Sequence, residues 1–529
     1  MTKGSLSHGT VMIDIAANLL GKGWQAGLNV LLVPVYVRLL GIEAYGLVGF
    51  YSTLLATFGL LDLGLTTTLN REIARCGTTH AGCDSSRDVV KTLQAVYWGN
   101  AIIVFLGIAY LSPVIARDWL RSRALPITVI EQSVTMMGAL VAFQLMLGFY
   151  SGGLLGMRRQ TTFNALNCGL ATLRGGGAVL VLLLYFTHVP RIVTFFSWQA
   201  IATLLGLLTM AATVWHLLPS TGQKARFRPA ILLNTWRFAV GMGVTSVAGL
   251  IAGYSDKILI SKFMSLEMLG YYTLAATIGT SLNFLGTPVY TAVFPAFTQL
   301  AAHKDERALQ LLYHQATQVV ALLVLPVAAV VTFFARDIIL LWTGSPLTAT
   351  KTDLAASLLT AGTAFALLAS VPYAVQLAHG WTSLGLVSNI AGACVVTPVL
   401  VVAIRQYGIP GAAATWLLLN LGYVFVTTYV MHGRILKGQW PRWCVRDVLL
   451  PLIAVCAPVA LMRTLAPRLD QGWPQTVSWL VLAYLSALAL GVAVCPQART
   501  MLRRVRKPIS PLEGSCDGHT QLAVGSPEC

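Results

Sequence analysis

The sequence predicts an all-α, polytopic membrane protein with about fourteen transmembrane helices. Of its 529 residues, 56% are hydrophobic and only 10% are charged, and the mean hydropathy is +0.71. Soluble domains carry about 25% charged residues because their surfaces face water. A chain this long with so few charges is expected to have lipid as its main solvent. This excludes a soluble enzyme, a secreted disulfide scaffold and a disordered regulator.

Apolar stretches of about 20 residues recur along the chain, each long enough to cross about 30 Å of hydrocarbon. In the first half the predicted spans cover 14–38, 41–64, 89–113, 129–156, 164–187 and 191–217. In the second half they cover 236–262, 266–299, 311–335, 353–377, 381–404 and 409–431. A final pair covers 447–465 and 474–495. The first span is long and contains charged residues, so we expect no cleavable signal peptide.

The charge balance predicts the orientation of these spans. The net charge of +17 arises from 36 lysines and arginines against 19 acidic residues. Over the predicted loops, lysine and arginine fall about two to one on the side that holds the N-terminus. Such an excess marks the cytoplasmic side of a membrane. We therefore expect a multi-pass protein of the bacterial cytoplasmic (inner) membrane with both termini in the cytoplasm. No basic groove interleaved with aromatic residues occurs, so no nucleic-acid partner is expected.

The chain repeats itself at a constant offset of 224 residues. Four residues at the turn into the second span match four residues at the turn into the eighth. The two sets are Arg38, Glu43, Gly46 and Thr53, and Lys262, Glu267, Gly270 and Thr277. Because six spans separate the copies, and six is even, both copies have the same orientation in the membrane. This arrangement is typical of transporters built from two bundles about an axis along the membrane normal.

The repeat and the polar segments divide the chain into five predicted parts. A basic, proline-containing stretch separates two groups of six spans, and one more pair of spans follows. The basic start of the tail is expected to lie on anionic lipid. The parts are an N-terminal six-helix bundle (1–218), a cytoplasmic linker (219–235), a C-terminal six-helix bundle (236–435), an extra helix pair (436–496) and a disordered cytoplasmic tail (497–529).

The loops contain no signature of an enzyme or of a metal site. There is no phosphate-binding loop, no HExxH zinc pair and no GxSxG nucleophile elbow. Cys76, His80 and Cys83 lie in one loop, but two thiols and one imidazole do not complete a tetrahedral zinc site. We therefore expect neither a catalytic residue nor a cofactor. The energy source is left open among a proton gradient, a sodium gradient and the membrane potential.

Charged residues inside the predicted spans are the candidate functional residues. A charge at mid-bilayer costs roughly 2.5–3.5 kcal/mol on insertion scales, so it normally faces a cavity or a partner. Lys22 and Arg174 lie well inside their spans, and Arg174 is followed by three glycines that permit close helix packing. Asp256 and Lys257 are adjacent in the seventh span. For Lys257 and Asp14, snorkelling to the membrane surface is the alternative.

Several short motifs resemble a known family in their order and spacing. They are Leu40–Leu47 at the first turn, Asp62–Leu65 with Asn70–Ala74 after the second span, Ser255–Ser261 with Gly270–Tyr272 around the seventh turn, and Phe294–Pro295. Over residues 10–435 the chain resembles the polysaccharide-exporter branch of the multidrug/oligosaccharidyl-lipid/polysaccharide (MOP) superfamily, the branch of O-antigen-type flippases.

This resemblance implies two six-helix bundles that form a V around a cationic lumen. It implies a flippase that moves an undecaprenyl-diphosphate-linked oligosaccharide, such as an O-antigen, capsule or exopolysaccharide repeat unit, from the cytoplasmic to the periplasmic leaflet by alternating access. A polymerase and a chain-length regulator would be partners in the same pathway. Our hypothesis assigns substrate binding to Lys22 and Arg174, and gating or ion coupling to Asp14, Asp62, Asp256 and Lys257.

Three other functions compete with this interpretation. An ion-coupled multidrug antiporter of the same superfamily would need acidic groups for cationic cargo, whereas the charges at mid-depth here are mainly positive. A membrane polysaccharide polymerase or ligase would be expected to carry a long periplasmic loop, and no predicted outer loop exceeds about twenty residues. A non-transporting scaffold in an envelope assembly complex is the third alternative.

The predicted orientation can be tested with fusions to a reporter that is active only in the cytoplasm. A fusion after Arg504 and an insertion within 220–230 should both be active, because both positions are predicted to face the cytoplasm. Reporter activity is the measurement, and a fusion to the predicted outer loop near 123 is the inactive control. A periplasmic location of either test position would contradict the predicted layout.

Overall fold

The computed structural model describes residues 8–59, 65–76, 82–184, 189–218, 225–229, 253–465 and 472–497. The first part of the chain forms helices α1 (His8–Leu40), α2 (Ile42–Gly59), α3 (Leu65–Cys76), α4 (Gly82–Val114), α5 (Ile127–Gly156), α6 (Gln160–Leu184) and α7 (Arg191–Leu217). The second part forms α8 (253–263), α9 (Leu266–Ser281), α10 (Asn283–His303), α11 (Glu306–Phe333), α12 (Ala335–Thr343), α13 (Pro346–Ala378), α14 (Thr382–Tyr407), α15 (Ile409–Gly422) and α16 (Thr428–Arg434). The last helices are α17 (Trp440–Arg442), α18 (Leu450–Leu465) and α19 (Trp473–Val494).

The predicted all-α membrane fold is confirmed. Each of the fourteen predicted spans overlaps a helix, and ten helices in the described part of the chain are long and apolar enough to cross a membrane. Two short helices, α3 and α12, were not predicted because they are too short to give a transmembrane signal. The predicted span 266–299 is divided at Leu282, where α9 ends and α10 begins.

Local signals in the sequence explain several of the helix boundaries. The Ser265 side chain accepts a hydrogen bond from the backbone N–H of Met268 at the start of α9, and Asp305 caps α11 in the same way through Ala308. Gly344 ends α12 with a φ of 69°, a left-handed conformation that glycine adopts without strain. These residues fix where α9 and α11 begin and where α12 ends.

In the described part of the chain, three π-helical segments adjoin the α-helices: Ile115–Trp119, Tyr423–Thr427 and Trp443–Leu449. The second joins α15 to α16, and the third joins α17 to α18. A π-helical turn adds a residue to the backbone and changes which side chains face a neighbouring helix. The hydropathy pattern contains no signal for such segments.

The described part of the predicted linker, 225–229, is tied to α4. Asp88 accepts a hydrogen bond from the backbone N–H of Arg226 at 2.6 Å and pairs with the Arg228 side chain at 2.6 Å. The Asp88 side chain is buried, whereas that of Arg228 is mostly exposed. This end of the linker therefore belongs to the first bundle.

The two bundles meet where α2 crosses α9. A Cβ atom on Gly46 would overlap the carbonyl oxygen of Leu266, and a Cβ on Gly270 would overlap the carbonyl oxygen of Ile42. Only glycine permits so close an approach of two helix backbones. Ile42 and Leu266, like Gly46 and Gly270, are separated by the 224-residue offset of the repeat. The two copies of the repeat therefore pack against each other in a reciprocal contact.

Hydrogen bonds between the bundles surround this glycine contact. Arg38 of the first bundle donates to the carbonyl of Thr343 at 3.1 Å, and Lys262 of the second donates to the carbonyl of Asp118 at 3.2 Å. All of these residues lie near the α1–α2 and α8–α9 turns. The contact therefore closes one end of the space between the bundles, the end that the sequence predicts to face the periplasm.

The extra helix pair packs on α11 and is fixed there by a buried polar cluster. Asp447, just before α18, accepts a hydrogen bond from Gln318 Nε2 at 2.8 Å and pairs with Nδ1 of His314. The side chains of Asp447 and His314 are each only 2% exposed. Beyond α19, the backbone N–H of Gln497 donates to Gln318 Oε1 at 3.0 Å. Both ends of the pair are thus attached to the same helix.

Replacing Gly46 with alanine should separate the outer contact, because the new methyl group would occupy the place of the Leu266 carbonyl oxygen. With Ser52→Cys as a reporter in the cavity between the bundles, labelling of intact cells by a membrane-impermeant maleimide should rise several-fold. Gly270→Ala should act in the same way. Gly153→Ala is the control, because its Cβ would lie 3.6 Å from Val214, an ordinary contact. Equal labelling in all variants would contradict this function of the contact.

Removing the carboxylate of Asp447 should strongly destabilise the protein. Asp447→Ala leaves a buried imidazole and amide without their partner, and breaking such a buried pair costs about 3–5 kcal/mol. The expected result is a clear fall in the melting temperature of the detergent-purified protein. Asp353→Ala is the matched control, since that carboxylate accepts only from the adjacent backbone N–H of Leu354. Equal melting temperatures for the two variants would show that the cluster does not fix the helix pair.

Candidate functional site

A cavity of about 500 Å³ lies between the two bundles, next to the contact of Gly46 and Gly270. Helices α1, α2, α6 and α7 of the first bundle form one wall, and α8, α9 and α10 of the second form the other. We call it the central cavity. Its charged and polar lining residues are Gln25, Asn29, Tyr36, Tyr45, Tyr51, Ser52, Arg174, Gln199, Lys257, Thr273, Thr277, Thr280 and Ser281.

Arg174 is held in this cavity by two neutral amide side chains. Its Nε donates to Gln199 Oε1 at 2.9 Å, and its Nη1 donates to Gln144 Oε1 at 3.3 Å. Gln199 in turn donates from Nε2 to the Arg174 carbonyl at 3.2 Å. The guanidinium is therefore positioned from α5 and α7, while no carboxylate among the described residues forms an ion pair with it. Its positive charge remains available to the cavity.

Two tyrosines lie beside Arg174. The Tyr36 hydroxyl donates to the Gly175 carbonyl at 3.0 Å, and the Tyr51 hydroxyl is buried beside the Arg174 guanidinium. Both hydroxyls lie within the electrostatic influence of the guanidinium. Gly175 permits this arrangement, because a Cβ there would lie 2.5 Å from Leu32 Cδ1 on α1. Tyr51 and Arg174 thus line the same part of the cavity wall.

Lys257 lines the same cavity from the opposite wall. Its Nζ lies 5.7 Å from the ring centre of Tyr254, near the outer limit of a cation–π contact. No described carboxylate pairs with it. Arg174 and Lys257 therefore contribute two positive charges, one from each bundle, and no acidic side chain is found among the described residues that line the cavity.

Asp256 faces a different space from its neighbour Lys257. One carboxylate oxygen accepts the Tyr272 hydroxyl at 2.5 Å, and the other is buried without a partner among the described residues. The residue lines a cavity of about 20 Å³ together with Thr397 and Thr415. A cavity of that size has room for one water molecule or a small cation. The two charges of α8 are thus separated, as adjacent residues on a helix point about 100° apart.

Lys22 does not line the central cavity and is exposed. It precedes the cavity-lining residues Gln25 and Asn29 by three and seven positions, so the three residues share one face of α1. Lys22 lies about 10 Å before Asn29 along the helix axis, on the side of the N-terminus. The structure therefore places Lys22 and Arg174 at different depths. Asp14 is in α1 but its side chain is outside the described residues, and Asp62 lies outside them altogether.

Sequence reasoning did not identify Tyr36, Tyr51, Gln144 or Gln199 as parts of the site. A signal for the α1 face was present, because the polar residues Lys22, Gln25, Asn29 and Tyr36 recur at helical spacing in an apolar span. The amide partners of Arg174 come from two other helices and gave no local signal. Among the described residues, no cluster of His, Cys, Asp or Glu could hold a metal ion.

Comparison with known proteins identifies the family. Residues 11–301 match the family described as polysaccharide biosynthesis protein, and this match covers more than half of the chain. The chain belongs to this family. The matched region includes every residue that lines the central cavity. The predicted membership of the polysaccharide-exporter branch of the MOP superfamily is confirmed.

Individual relatives of this family member are distant. The succinoglycan biosynthesis transport protein ExoT of Rhizobium meliloti (strain 1021) is 22% identical over 323 residues, which are 60% of this chain and 59% of that protein. The fold is shared with lipid II flippase MurJ in an inward closed conformation, with a TM-score of 0.67 at 12% identity over 93% of this chain and 99% of MurJ. An inward-facing MATE family transporter of the MOP superfamily gives a TM-score of 0.64 at 15% identity over 78% of this chain and 94% of that one.

Proposed function

We propose that this protein is a flippase that moves an undecaprenyl-diphosphate-linked oligosaccharide from the cytoplasmic to the periplasmic leaflet of the bacterial inner membrane. The observation that carries the proposal is the guanidinium of Arg174, which neutral amides position between the bundles without neutralising it. The cargo would be an O-antigen, capsule or exopolysaccharide repeat unit. Transport of this kind makes and breaks no covalent bond of the cargo, so the protein needs no catalytic residue.

The diphosphate is the part of such a cargo that crosses hydrocarbon least readily without the protein. Moving an ionised group from water into hydrocarbon has a large unfavourable free energy. A positive charge in a wet cavity lowers this free energy because it forms charge-assisted hydrogen bonds with the phosphate. Arginine has five N–H donors, and the two bonds to glutamine leave donors for phosphate oxygens. The described lining of the central cavity carries positive charges and no acidic side chain, which favours an anionic cargo over the cationic cargo of a multidrug antiporter.

The names of the relatives support this class of function. ExoT is described as a transport protein of succinoglycan biosynthesis, and MurJ as a lipid II flippase. One name describes transport in the biosynthesis of a polysaccharide, and the other describes the flipping of a lipid. For the present chain we propose a sugar-carrying lipid as the cargo.

Lys22 and Arg174 would act in sequence. Lys22 lies on the cavity face of α1 but nearer the predicted cytoplasmic end, so it would attract the diphosphate at the mouth of the cavity. Arg174 would then bind it deeper between the bundles, with the outer end closed at Gly46 and Gly270. Separation of this contact would open the cavity to the periplasm.

Asp256 would couple an ion to this movement. Its unpaired oxygen and the small cavity beside it can accept a proton or a small cation, while Lys257 on the same helix faces the central cavity. A change of charge at Asp256 that shifts α8 would therefore move Lys257 relative to the cargo. Asp14 and Asp62 remain predicted for gating or ion coupling, and the driving gradient remains open.

Replacing Arg174 with alanine should abolish most flipping of undecaprenyl-diphosphate-linked oligosaccharide in proteoliposomes. Hydrogen bonds to a charged group contribute about 1.5–3 kcal/mol, which corresponds to roughly a 10- to 100-fold loss of affinity for the lipid. Arg174→Lys should recover part of the activity if charge is sufficient, and little if the planar fork is required. Lys22→Ala should cause a smaller loss that diminishes at high salt.

The matched control is Arg307→Ala, which removes an exposed arginine at the start of α11. It should leave flipping unchanged. Wild-type flipping by both Arg174→Ala and Lys22→Ala at equal protein levels would refute the assigned function of these two residues.

A further inference from the structure

A second cavity, of about 370 Å³, lies inside the second bundle between α13, α14 and the α15–α16 segment. We call it the amide cavity. None of the described residues that line it is charged, in contrast to the central cavity. Its polar lining residues are Ser370, Tyr373, Gln376, Ser388, Asn389, Asn420, Tyr423, Thr427 and Thr428. They lie in the half of each helix that is predicted to face the cytoplasm, where the proposed cargo would be loaded.

The π-helical segment Tyr423–Thr427 forms one wall of the amide cavity. Both of its end residues contact α14: Tyr423 donates from its hydroxyl to Asn389 Oδ1 at 3.2 Å, and Thr427 donates to Ser388 Oγ at 3.3 Å. π-helical turns are rare, and they occur frequently at functional sites. This one directs a tyrosine and a threonine into the same space.

Three amide side chains of this cavity have unused hydrogen-bonding capacity. Asn420 is 3% exposed; its Nδ2 donates to the Trp416 carbonyl, while its Oδ1 accepts from no described residue. Gln376, 1% exposed, likewise donates from Nε2 to the Trp381 carbonyl and leaves Oε1 without a described donor. Nδ2 of Asn389 donates to no described acceptor. Because these residues line the cavity, their free amide atoms are suited to a polar ligand.

Helix α10 lies close to both the amide cavity and the central cavity. Tyr373 of the amide cavity lies next to Tyr290 of α10, close enough for an electrostatic effect between the two hydroxyls. Tyr290 stacks on Phe294 with ring centroids 6.0 Å apart and planes inclined by 8°. Near its start, α10 supplies Phe284 to the wall of the central cavity. One helix therefore runs past both cavities.

From this geometry we propose that the amide cavity binds a neutral sugar unit of the cargo whose diphosphate is held near Arg174. Uncharged amides and hydroxyls satisfy the many donors and acceptors of a sugar ring, and tyrosine rings cover its apolar face. The volume is within the range of small-molecule sites, about 300–1,000 Å³. The proposal rests on the proposed flippase function and adds the part of the cargo that the second bundle recognises.

The test compares two lipids in binding assays with the full-length purified protein. One is undecaprenyl diphosphate, and the other is the lipid-linked oligosaccharide extracted from cells that make this protein. We expect the wild type to bind the oligosaccharide lipid about tenfold more tightly. Asn389→Leu and Asn420→Leu should each remove most of this preference without changing the affinity for undecaprenyl diphosphate. Gln132→Leu, which removes an exposed amide on α5, is the matched control.

Different failures of this experiment have different meanings. If both asparagine variants keep the full preference, the sugar assignment is wrong. If the variants lower the affinity for both lipids equally, the cavity holds the polyprenyl chain rather than a sugar. If Arg174→Ala changes the binding of neither lipid, or the wild type binds neither, the proposed function itself fails.

A smaller substitution covers the case in which the leucine variants do not fold. Ser388→Cys changes one atom at the wall of the cavity, and its alkylation can be followed by mass spectrometry. The oligosaccharide lipid should slow alkylation at this position several-fold, whereas undecaprenyl diphosphate should not. An alkylation rate that neither lipid alters, or that both lipids alter equally, would overturn the proposal.

Discussion

The close packing of α2 against α9 is the contact on which the rest of the arrangement depends. In lipid, helices are not driven together by the hydrophobic effect, so association relies on van der Waals packing and hydrogen bonds. Gly46 and Gly270 bring two backbones together at one end of the bundles, and the bundles diverge from there to leave the central cavity. Because the contact is made by the two copies of the repeat, each half supplies one glycine and one carbonyl. Opening the outer end must therefore break both halves of the contact together.

The two bundles use corresponding helices for different chemistry. A shift of 224 residues carries α5 and α6 onto α13 and α14, and α7 corresponds in order to the α15–α16 segment. In the first bundle these three helices enclose Arg174 between Gln144 and Gln199. In the second bundle the position 224 residues after Arg174 is Pro398, and the three helices surround the uncharged amide cavity. An asymmetric cargo with an anionic and a neutral part fits this division, since each half can bind one part.

Some of this structure was predictable from the sequence, and the rest depended on contacts between distant residues. Hydropathy predicted the spans because the bilayer sets their length, and the repeat offset indicated residues that the structure brings together as Gly46 and Gly270. The cost of a charge in hydrocarbon correctly directed attention to Arg174, which does line a cavity. The same argument predicted that Lys22 also binds the substrate, although Lys22 lies outside the cavity lining. The depth of a residue in the membrane follows from its position along the span. The rotation of each helix, which decides whether that residue faces a cavity, depends on packing against other helices and could not be predicted.

The buried cluster at Asp447 constrains how the extra helix pair can move. Asp447 and His314 pair in a region from which water is excluded, and Gln318 holds the other carboxylate oxygen. Separating such groups in a low dielectric costs several kcal/mol, whereas sliding apolar helices within lipid costs little. Gln497 adds a second attachment to the same helix, α11. These contacts attach the extra pair to the second bundle at both ends, so in a rocking motion of the bundles the pair would travel with the second bundle as one packed unit.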